Sequence, residues 1–121
     1  MTLVDASSWI EFLRGRSSEP SLRVKSLLME GRAAWCELTR VELWNGARGP
    51  AEKEALAALE EELEPYPINE QVWAKACALA RACRAKGVTV PSTDLIVAAC
   101  ATHHGLPLEH CDNHFGLIPS G

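Results

Sequence analysis

The sequence lacks the features by which several classes of protein are recognised. Its 121 residues contain no apolar run long enough to cross a bilayer. The N-terminus lacks the charged and apolar segments of a secretory signal. We therefore expect a cytoplasmic location and no membrane partner. Repeats, low-complexity tracts and linkers are also missing, and this length suits one domain, so we predict a single domain over residues 1–121.

Paired cysteines and a basic excess are missing as well. The five cysteines are odd in number and none has the spacing C-x-x-C. A disulfide framework is therefore not expected, in agreement with a reducing compartment. The 12 Lys and Arg face 16 Asp and Glu, for a formal net charge of −4. This balance argues against a bulk nucleic-acid binder, so a polyanion would have to be held by local patches or through a metal.

Short apolar segments alternate with helical patterns along the chain. The helices are predicted at 7–13, 20–30, 37–47, 51–63, 69–86 and 92–104, with N-caps at Ser7 or Ser8, at Asn69, and at Ser92 or Thr93. Strands are predicted at 2–5, 33–36, 106–108 and 117–118, and the proline-interrupted segment 64–68 is a loop or a short edge strand. This alternation predicts an α/β fold, a three-layer α/β/α sandwich around a short, mostly parallel central sheet.

Four acids, scattered along the sequence, are candidates for one site. Asp5 ends the first strand and Asp112 follows the third, and ligands of parallel sheets bind beyond the carboxyl ends of the strands. Asp94 lies in the first turn of an apolar helix, where the helix dipole favours a carboxylate. Glu42 borders the buried stripe of its helix. Each acid alone has an ordinary structural explanation: Asp5 as a helix cap, Asp112 as a turn residue.

Convergence of these acids would create a metal site. Clustered carboxylates raise one another's pKa, and a hard divalent cation such as Mg²⁺ relieves their repulsion. Such a site polarises a phosphate and activates water, so we expect hydrolysis of a phosphodiester. Ser7, two residues after Asp5, is placed to hydrogen-bond a ligand carboxylate or a metal-bound water, or to cap the helix.

Four segments in order, LVDASSWI, ELTRVELWNGA, VPSTDLIVAACA and HCDNHF, resemble the PIN domain, and the small size resembles its VapC type, the toxin of a bacterial toxin–antitoxin pair. The resemblance covers essentially the whole chain. It implies a metal-dependent endoribonuclease that uses Mg²⁺ or Mn²⁺ at a four-carboxylate site, with Asp5 and Asp94 as the principal ligands. The catalytic and metal-binding residues would then be Asp5, Glu42, Asp94 and Asp112, supported by Ser7.

The resemblance also implies partners. These are an RNA substrate, a cognate antitoxin whose tail covers the site, and a second copy of the chain in a homodimer. Arg40 is the basic residue nearest in sequence to Glu42 and is the candidate for contacting RNA phosphates. One departure from the family pattern lies before the last acid, where His110 and Cys111 replace a threonine and a basic residue.

Other functions remain open on the sequence alone. A PIN-like protein could process RNA without a toxin role, or be a non-catalytic module that binds a partner through some of its four tryptophans. A zinc site is a further hypothesis, with the candidate ligands His103, His104, His110, Cys111 and His114, but it has no second clean ligand pair. Phospho-acceptor folds are disfavoured because Ser7 stands where a phosphatase needs a second acid.

Overall fold

The computed structural model describes residues 1–119 and consists of short parallel strands enclosed by helices. The strands are β1 (Thr2–Val4), β2 (Ala33–Ala34) and β3 (Leu108–Glu109). The helices are α1 (Ala6–Leu13), α2 (Glu19–Met29), α3 (Glu37–Gly46), α4 (Gly49–Glu62), α5 (Glu70–Ala85) and α6 (Ser92–His104), followed by a 3₁₀ helix (Asn113–Leu117). All six predicted helices are confirmed, with small shifts at their ends.

The sheet has the order β2-β1-β3, with both neighbours parallel to the central strand. Thr2 is in register with Ala33 on one side, and Leu3 with Leu108 on the other. The carboxyl ends of all three strands therefore lie at one edge, as predicted. Asp5, which follows β1 directly, is at this edge.

Successive residues of β1 point to opposite faces of the sheet and enter two separate cores. Leu3 packs with the buried faces of α5 and α6 and with Phe115 of the 3₁₀ helix. Val4 packs in a second cluster, drawn entirely from residues 4–63, around the fully buried indoles of Trp9 and Trp35. Helices thus cover both faces, and the predicted three-layer α/β/α sandwich is confirmed.

The predicted strands are longer than those observed, and one is wrong. Segment 64–68 contributes only an isolated bridge between Tyr66 and Cys36. Leu117 ends the 3₁₀ helix instead of forming a strand with Ile118. This turn forms because the Asp112 side chain accepts a hydrogen bond from the backbone N–H of His114, while Phe115 is buried beneath it.

The helix caps also differ in part from the prediction. Asn69 caps α5 as expected, by accepting a hydrogen bond from the backbone N–H of Val72. The predicted caps at Ser7 or Ser8 are wrong, because Asp5 caps α1. At α6 the capping position is Pro91, without a side-chain cap, so Ser92 and Thr93 do not have this role. Because Asp5 caps α1, the start of this helix fixes its carboxylate at the edge of the sheet.

The structure shows the state of each cysteine and the character of each helix. All five cysteines are free thiols: Cys36, Cys83 and Cys100 are buried, and Cys77 and Cys111 are exposed. Across residues 1–119, no helix combines the length and the apolar character needed to cross a membrane.

Candidate active site

Asp5 is held at the edge of the sheet from two directions. Its backbone N–H donates a 2.9 Å hydrogen bond to the carbonyl of Glu109, which fixes it against β3. Its Oδ2 accepts hydrogen bonds from the backbone N–H of Ser7, at 3.0 Å, and from Ser7 Oγ, at 2.7 Å. Asp5 as a whole residue is only 4% exposed. Asp5 therefore caps α1 and also presents a buried, oriented carboxylate.

Ser7 connects two parts of the site. While its hydroxyl donates to Asp5, its oxygen accepts a hydrogen bond from the backbone N–H of Cys111 at 3.2 Å. Cys111 directly precedes Asp112. One hydroxyl group thus holds the loop of the last candidate acid against the carboxylate of the first.

Asp94 lies in the first turn of α6 and is 7% exposed. Burial raises the pKa of its carboxyl group, and the nearby charges of Asp112 and Asp5 raise this pKa further. A hydrogen bond from His114 acts in the opposite direction on the same pKa. Asp94 is therefore in electrostatic contact with the acids that follow both β1 and β3.

Asp112 and His114 close the site on one side. The Nδ1 atom of His114 lies 2.8 Å from Asp112 Oδ1 and 3.1 Å from Asp94 Oδ2. Ligand atoms from Asp94, Asp112 and His114 all lie within 4.8 Å of one another, a spacing that suits a single metal ion. The same Asp112 oxygen also accepts from the backbone N–H of His114 at 2.9 Å.

Glu42 reaches the cluster from α3. Burial, followed by the charges of Asp5, Cys36 and Asp94, raises the pKa of its carboxyl group to about 7. Its Oε1 atom is buried without a hydrogen-bond partner. A buried acceptor without a donor is costly, and here it lies among other acceptors.

The four predicted acids, which come from the residue after β1, from α3, from α6 and from the loop after β3, are therefore close enough to affect one another's charge, and Asp94 and Asp112 have oxygens within 4.8 Å of each other. Their donor chemistry fits a hard divalent cation, because such ions take carboxylate oxygens as ligands. The partnerless Glu42 Oε1 supports this fit, since a cation would satisfy it. Burial first, and then the charges of neighbouring acids, raise the pKa values of Glu42 and Asp94, and a bound cation would lower both.

Arg40 points away from these acids. It precedes Glu42 by two residues, which is about 200° around the helix. Its guanidinium lies 3.7 Å from Glu60 of α4, and its Nε is buried without a hydrogen-bond partner. Arg40, Glu60 and Trp44 line an open cavity of about 550 Å³.

The zinc hypothesis is not supported by the positions of its candidates. His103 contacts Asn69, His104 contacts the carbonyl of Pro67, and His110 stacks on Phe115. His114 alone among the candidate histidines contacts the acids. Within residues 1–119, the three-residue group able to hold a metal contains two aspartates and one histidine, not a set of cysteines and histidines.

Sequence reasoning missed the roles of His114 and Glu109. Asp112-x-His114 is a signal that could have located the histidine, because an Asp that caps a turn brings the second residue after it back beside its own carboxylate. Glu109 accepts hydrogen bonds from Arg23 at 2.6 Å and from Ser8 at 2.7 Å. These contacts join α2, α1 and β3 directly beside Asp5, and they follow no local sequence pattern.

The tryptophans divide into two classes. Trp9 and Trp35 are fully buried, with ring centroids 5.7 Å apart, and Trp35 Nε1 donates to the carbonyl of Leu63 at 3.0 Å. Trp44 and Trp73 are 40% and 50% exposed. Two of the four therefore belong to the core.

Comparison with known proteins agrees with this architecture. The family model described as the PIN domain matches residues 2–119. Ribonuclease VapC11 of Mycobacterium tuberculosis is 34% identical over 122 residues, which cover 98% of this chain and 91% of the relative. FitAcB from Neisseria gonorrhoeae has a similar fold, with a TM-score of 0.74 at 22% identity over 97% of this chain and 92% of the other. VapBC-5 from Mycobacterium tuberculosis, from a family of toxin-antitoxin systems, gives a TM-score of 0.71 at 21% identity over 95% and 87% of the two chains. The chain therefore belongs to the PIN domain family, and within it to the VapC group.

Proposed function

We propose that this protein is a metal-dependent endoribonuclease that acts as the toxin of a toxin–antitoxin pair. The observation that carries the proposal is the convergence of Asp5, Glu42, Asp94 and Asp112, with Glu42 Oε1 buried and partnerless among them. A bound cation would relieve both the burial and the mutual repulsion of these carboxylates. The ribonuclease names of relatives that match nearly the whole chain support the same activity.

Each acid has a proposed role at this site. Asp5 and Asp94, the two most buried, are the principal ligands of Mg²⁺ or Mn²⁺, and Glu42 and Asp112 complete the carboxylate set. When bound, the cation would polarise a phosphate oxygen of RNA and lower the pKa of a bound water. Ser7 keeps Asp5 and the loop before Asp112 in a fixed relation, so the carboxylates need little rearrangement during turnover.

Glu42 is the proposed proton acceptor of the cluster. In the metal-free protein its pKa of about 7 lies closer to neutral pH than that of an ordinary carboxyl group, which suits general base catalysis. Asp5 and Asp94 are largely closed to solvent, so water reaches the site mainly from the side of Asp112 and His114, which are more exposed.

The proposed partners follow from the same function. VapBC-5 and a protein from Klebsiella pneumoniae with the same fold are described as toxin-antitoxin structures, and we propose that a cognate antitoxin inhibits this chain. We propose further that the chain forms a homodimer, or a larger complex with its antitoxin. We propose that it acts on RNA in the cytoplasm.

Arg40 remains the proposed contact to RNA phosphates, through a guanidinium that also pairs with Glu60.

Cleavage of total cellular RNA tests the proposal. Purified, antitoxin-free protein is incubated with Mg²⁺, with Mn²⁺ or with a chelator, beside Asp5→Asn and Glu42→Gln. Glu61→Gln is the matched control, because Glu61 lies on the exposed face of α4 and its replacement removes one negative charge, as Glu42→Gln does. We expect discrete fragments from the wild type and from Glu61→Gln, only with metal, and none from the two site variants. Cleavage that persists in chelator, or in folded Asp5→Asn, would refute the proposal.

A further inference from the structure

His114 lies beside two of the four carboxylates of the candidate site. Its Nδ1 atom lies 2.8 Å from Asp112 Oδ1 and 3.1 Å from Asp94 Oδ2, so one nitrogen lies between two oxygens of the carboxylate cluster. The ring is held there by a short element. Asp112 caps the 3₁₀ helix that carries His114, and Phe115, the next residue, is buried.

These distances match the spacing of neighbouring ligands on one metal ion. In an octahedral site with bonds of about 2.1 Å, adjacent ligand atoms are about 3.0 Å apart. The two N···O distances, 2.8 and 3.1 Å, lie on either side of that value. The donor atoms of Asp94, Asp112 and His114 also fall within 4.8 Å of one another, so small side-chain movements would bring all three onto one ion.

We propose that His114 is a metal ligand and that Asp94, Asp112 and His114 form a mixed nitrogen–oxygen site that prefers Mn²⁺ to Mg²⁺. The inference rests on the proposed metal-dependent function and adds a residue to its site. Mg²⁺ is a hard ion that takes oxygen ligands, so an imidazole contributes little to its binding. First-row transition ions accept imidazole nitrogen, and an additional nitrogen ligand therefore strengthens their binding selectively.

The exposure of the ring is compatible with this role. The His114 side chain is 46% exposed, whereas that of Asp94 is 10% exposed. A neutral imidazole protonated on Nε2 presents a lone pair on Nδ1 toward the two carboxylates. His114 would therefore supply the nitrogen from the more exposed part of the cluster.

The same contacts would arise if His114 only donated a hydrogen bond from Nδ1 to the two aspartates. In that arrangement it would orient the acids, and its removal would affect Mn²⁺ and Mg²⁺ alike. The two roles therefore differ in metal selectivity and in whether nitrogen is bound directly to the ion.

Two measurements that do not depend on activity separate these roles. Metal-free wild type, His114→Ala and His103→Ala are titrated with Mn²⁺ and with Mg²⁺ by calorimetry. His103 is an exposed histidine that is hydrogen-bonded to Asn69, and it serves as the matched control. We expect His114→Ala to weaken Mn²⁺ binding by about 10-fold or more and Mg²⁺ binding by less than about 3-fold, and His103→Ala to change neither.

Pulsed electron paramagnetic resonance of the Mn²⁺-loaded wild type tests the bond directly, without relying on a variant. We expect a ¹⁴N modulation typical of coordinated imidazole, which is retained in His103→Ala and lost in His114→Ala. Tight Mn²⁺ binding without nitrogen coupling would overturn the role of His114 and leave the carboxylate site intact. Failure of the folded wild type to bind either ion would instead refute the proposed function, and the ligand role with it.

Discussion

Ser7 Oγ lies 2.7 Å from Asp5 Oδ2 and donates a hydrogen bond to it. Because the same oxygen also accepts from the backbone of Cys111, a single hydroxyl couples the end of β1 to the loop that follows β3. The contact spans nearly the whole sequence, yet it is made by a residue only two positions from the acid it orients. It explains how such short strands hold carboxylates in a defined arrangement.

Replacement of Ser7 by alanine is expected to impair catalysis more than folding. Loss of a residue that orients metal ligands typically reduces activity about 10- to 100-fold. The lost hydrogen bonds change the free energy of unfolding by only about 1 kcal/mol. Rates of metal-dependent RNA cleavage and urea unfolding curves measure the two effects. Ser26→Ala, on the exposed surface of α2, is the control. Cleavage by Ser7→Ala at the wild-type rate would contradict the positioning role.

Glu42→Gln is expected to stabilise the metal-free protein as the pH rises. The pKa of Glu42 is raised from 4.5 to about 7 in the folded state, so the native protein holds this proton more tightly than the unfolded chain does. The resulting penalty is absent below pH 4.5, grows between pH 4.5 and about 7, and is complete above that. Because solvent partly screens the charge of Glu42, we expect a gain of about 1 kcal/mol at pH 8 and none at low pH.

Urea unfolding at pH 4 and pH 8, in the presence of chelator, measures this difference. Glu61→Gln, an exposed acid of α4, removes the same charge without the burial and should change stability equally little at both pH values. A gain in Glu42→Gln that is independent of pH would show that the raised pKa of Glu42 is not its cause.

Asp94→Asn is expected to remove metal-induced stabilisation and RNA cleavage together. In the wild type, Mg²⁺ or Mn²⁺ should raise the melting temperature. At 100 times the dissociation constant, the bound ion adds about 2.7 kcal/mol to the free energy of unfolding. In Asp94→Asn this rise should vanish, while the metal-free variant melts at or above the temperature of the wild type, because a buried, repelled charge is gone. Thermal unfolding with and without metal is the measurement. A variant that melts well below the metal-free wild type would indicate that Asp94 supports the fold.

Trp9→Ala and Trp73→Ala should differ strongly in stability. Trp9 is fully buried against Trp35 in the core that contains Val4, so its truncation should cost about 3–5 kcal/mol. Trp73 is half exposed on α5, and its truncation should stay within about 0.5 kcal/mol. Equilibrium unfolding by urea compares the two. A large loss in Trp73→Ala would place that indole in a contact that a partner or a second copy makes.

The predictable part of this fold is the part with local signals. Asn69 and Gly105 mark the start of α5 and the end of α6, and the alternation of apolar segments is sufficient to predict the layers. The strands were harder to delimit, because two residues of β2 satisfy few hydrogen bonds and have no period to detect. Leu117 was predicted in a strand because it is apolar, but the cap at Asp112 directs the chain into a 3₁₀ turn.

The candidate site shows the same division. Asp5 and Asp94 were recognisable because each stands at the junction of an apolar segment and a helix start. His114 was named only as a candidate zinc ligand, and its place beside Asp94 was missed, because that contact joins residues twenty positions apart on different elements. Glu109 is similar, since Arg23 and Ser8 approach it only in the folded chain. Long-range proximity of this kind leaves no trace in composition or periodicity.

The two cores on either side of the sheet bear on the order of events during folding. The layer around Trp9 and Trp35 is built from residues 4–63, and it carries Asp5 and Glu42. The helices of the other layer follow residue 63, and that part of the chain carries Asp94 and Asp112. Partly folded forms with only one layer in place would therefore hold half of the carboxylates and none of the repulsion between the two pairs. Electrostatic repulsion between the two pairs thus enters only at the last docking step, so metal ions should slow unfolding more than they speed the formation of either layer.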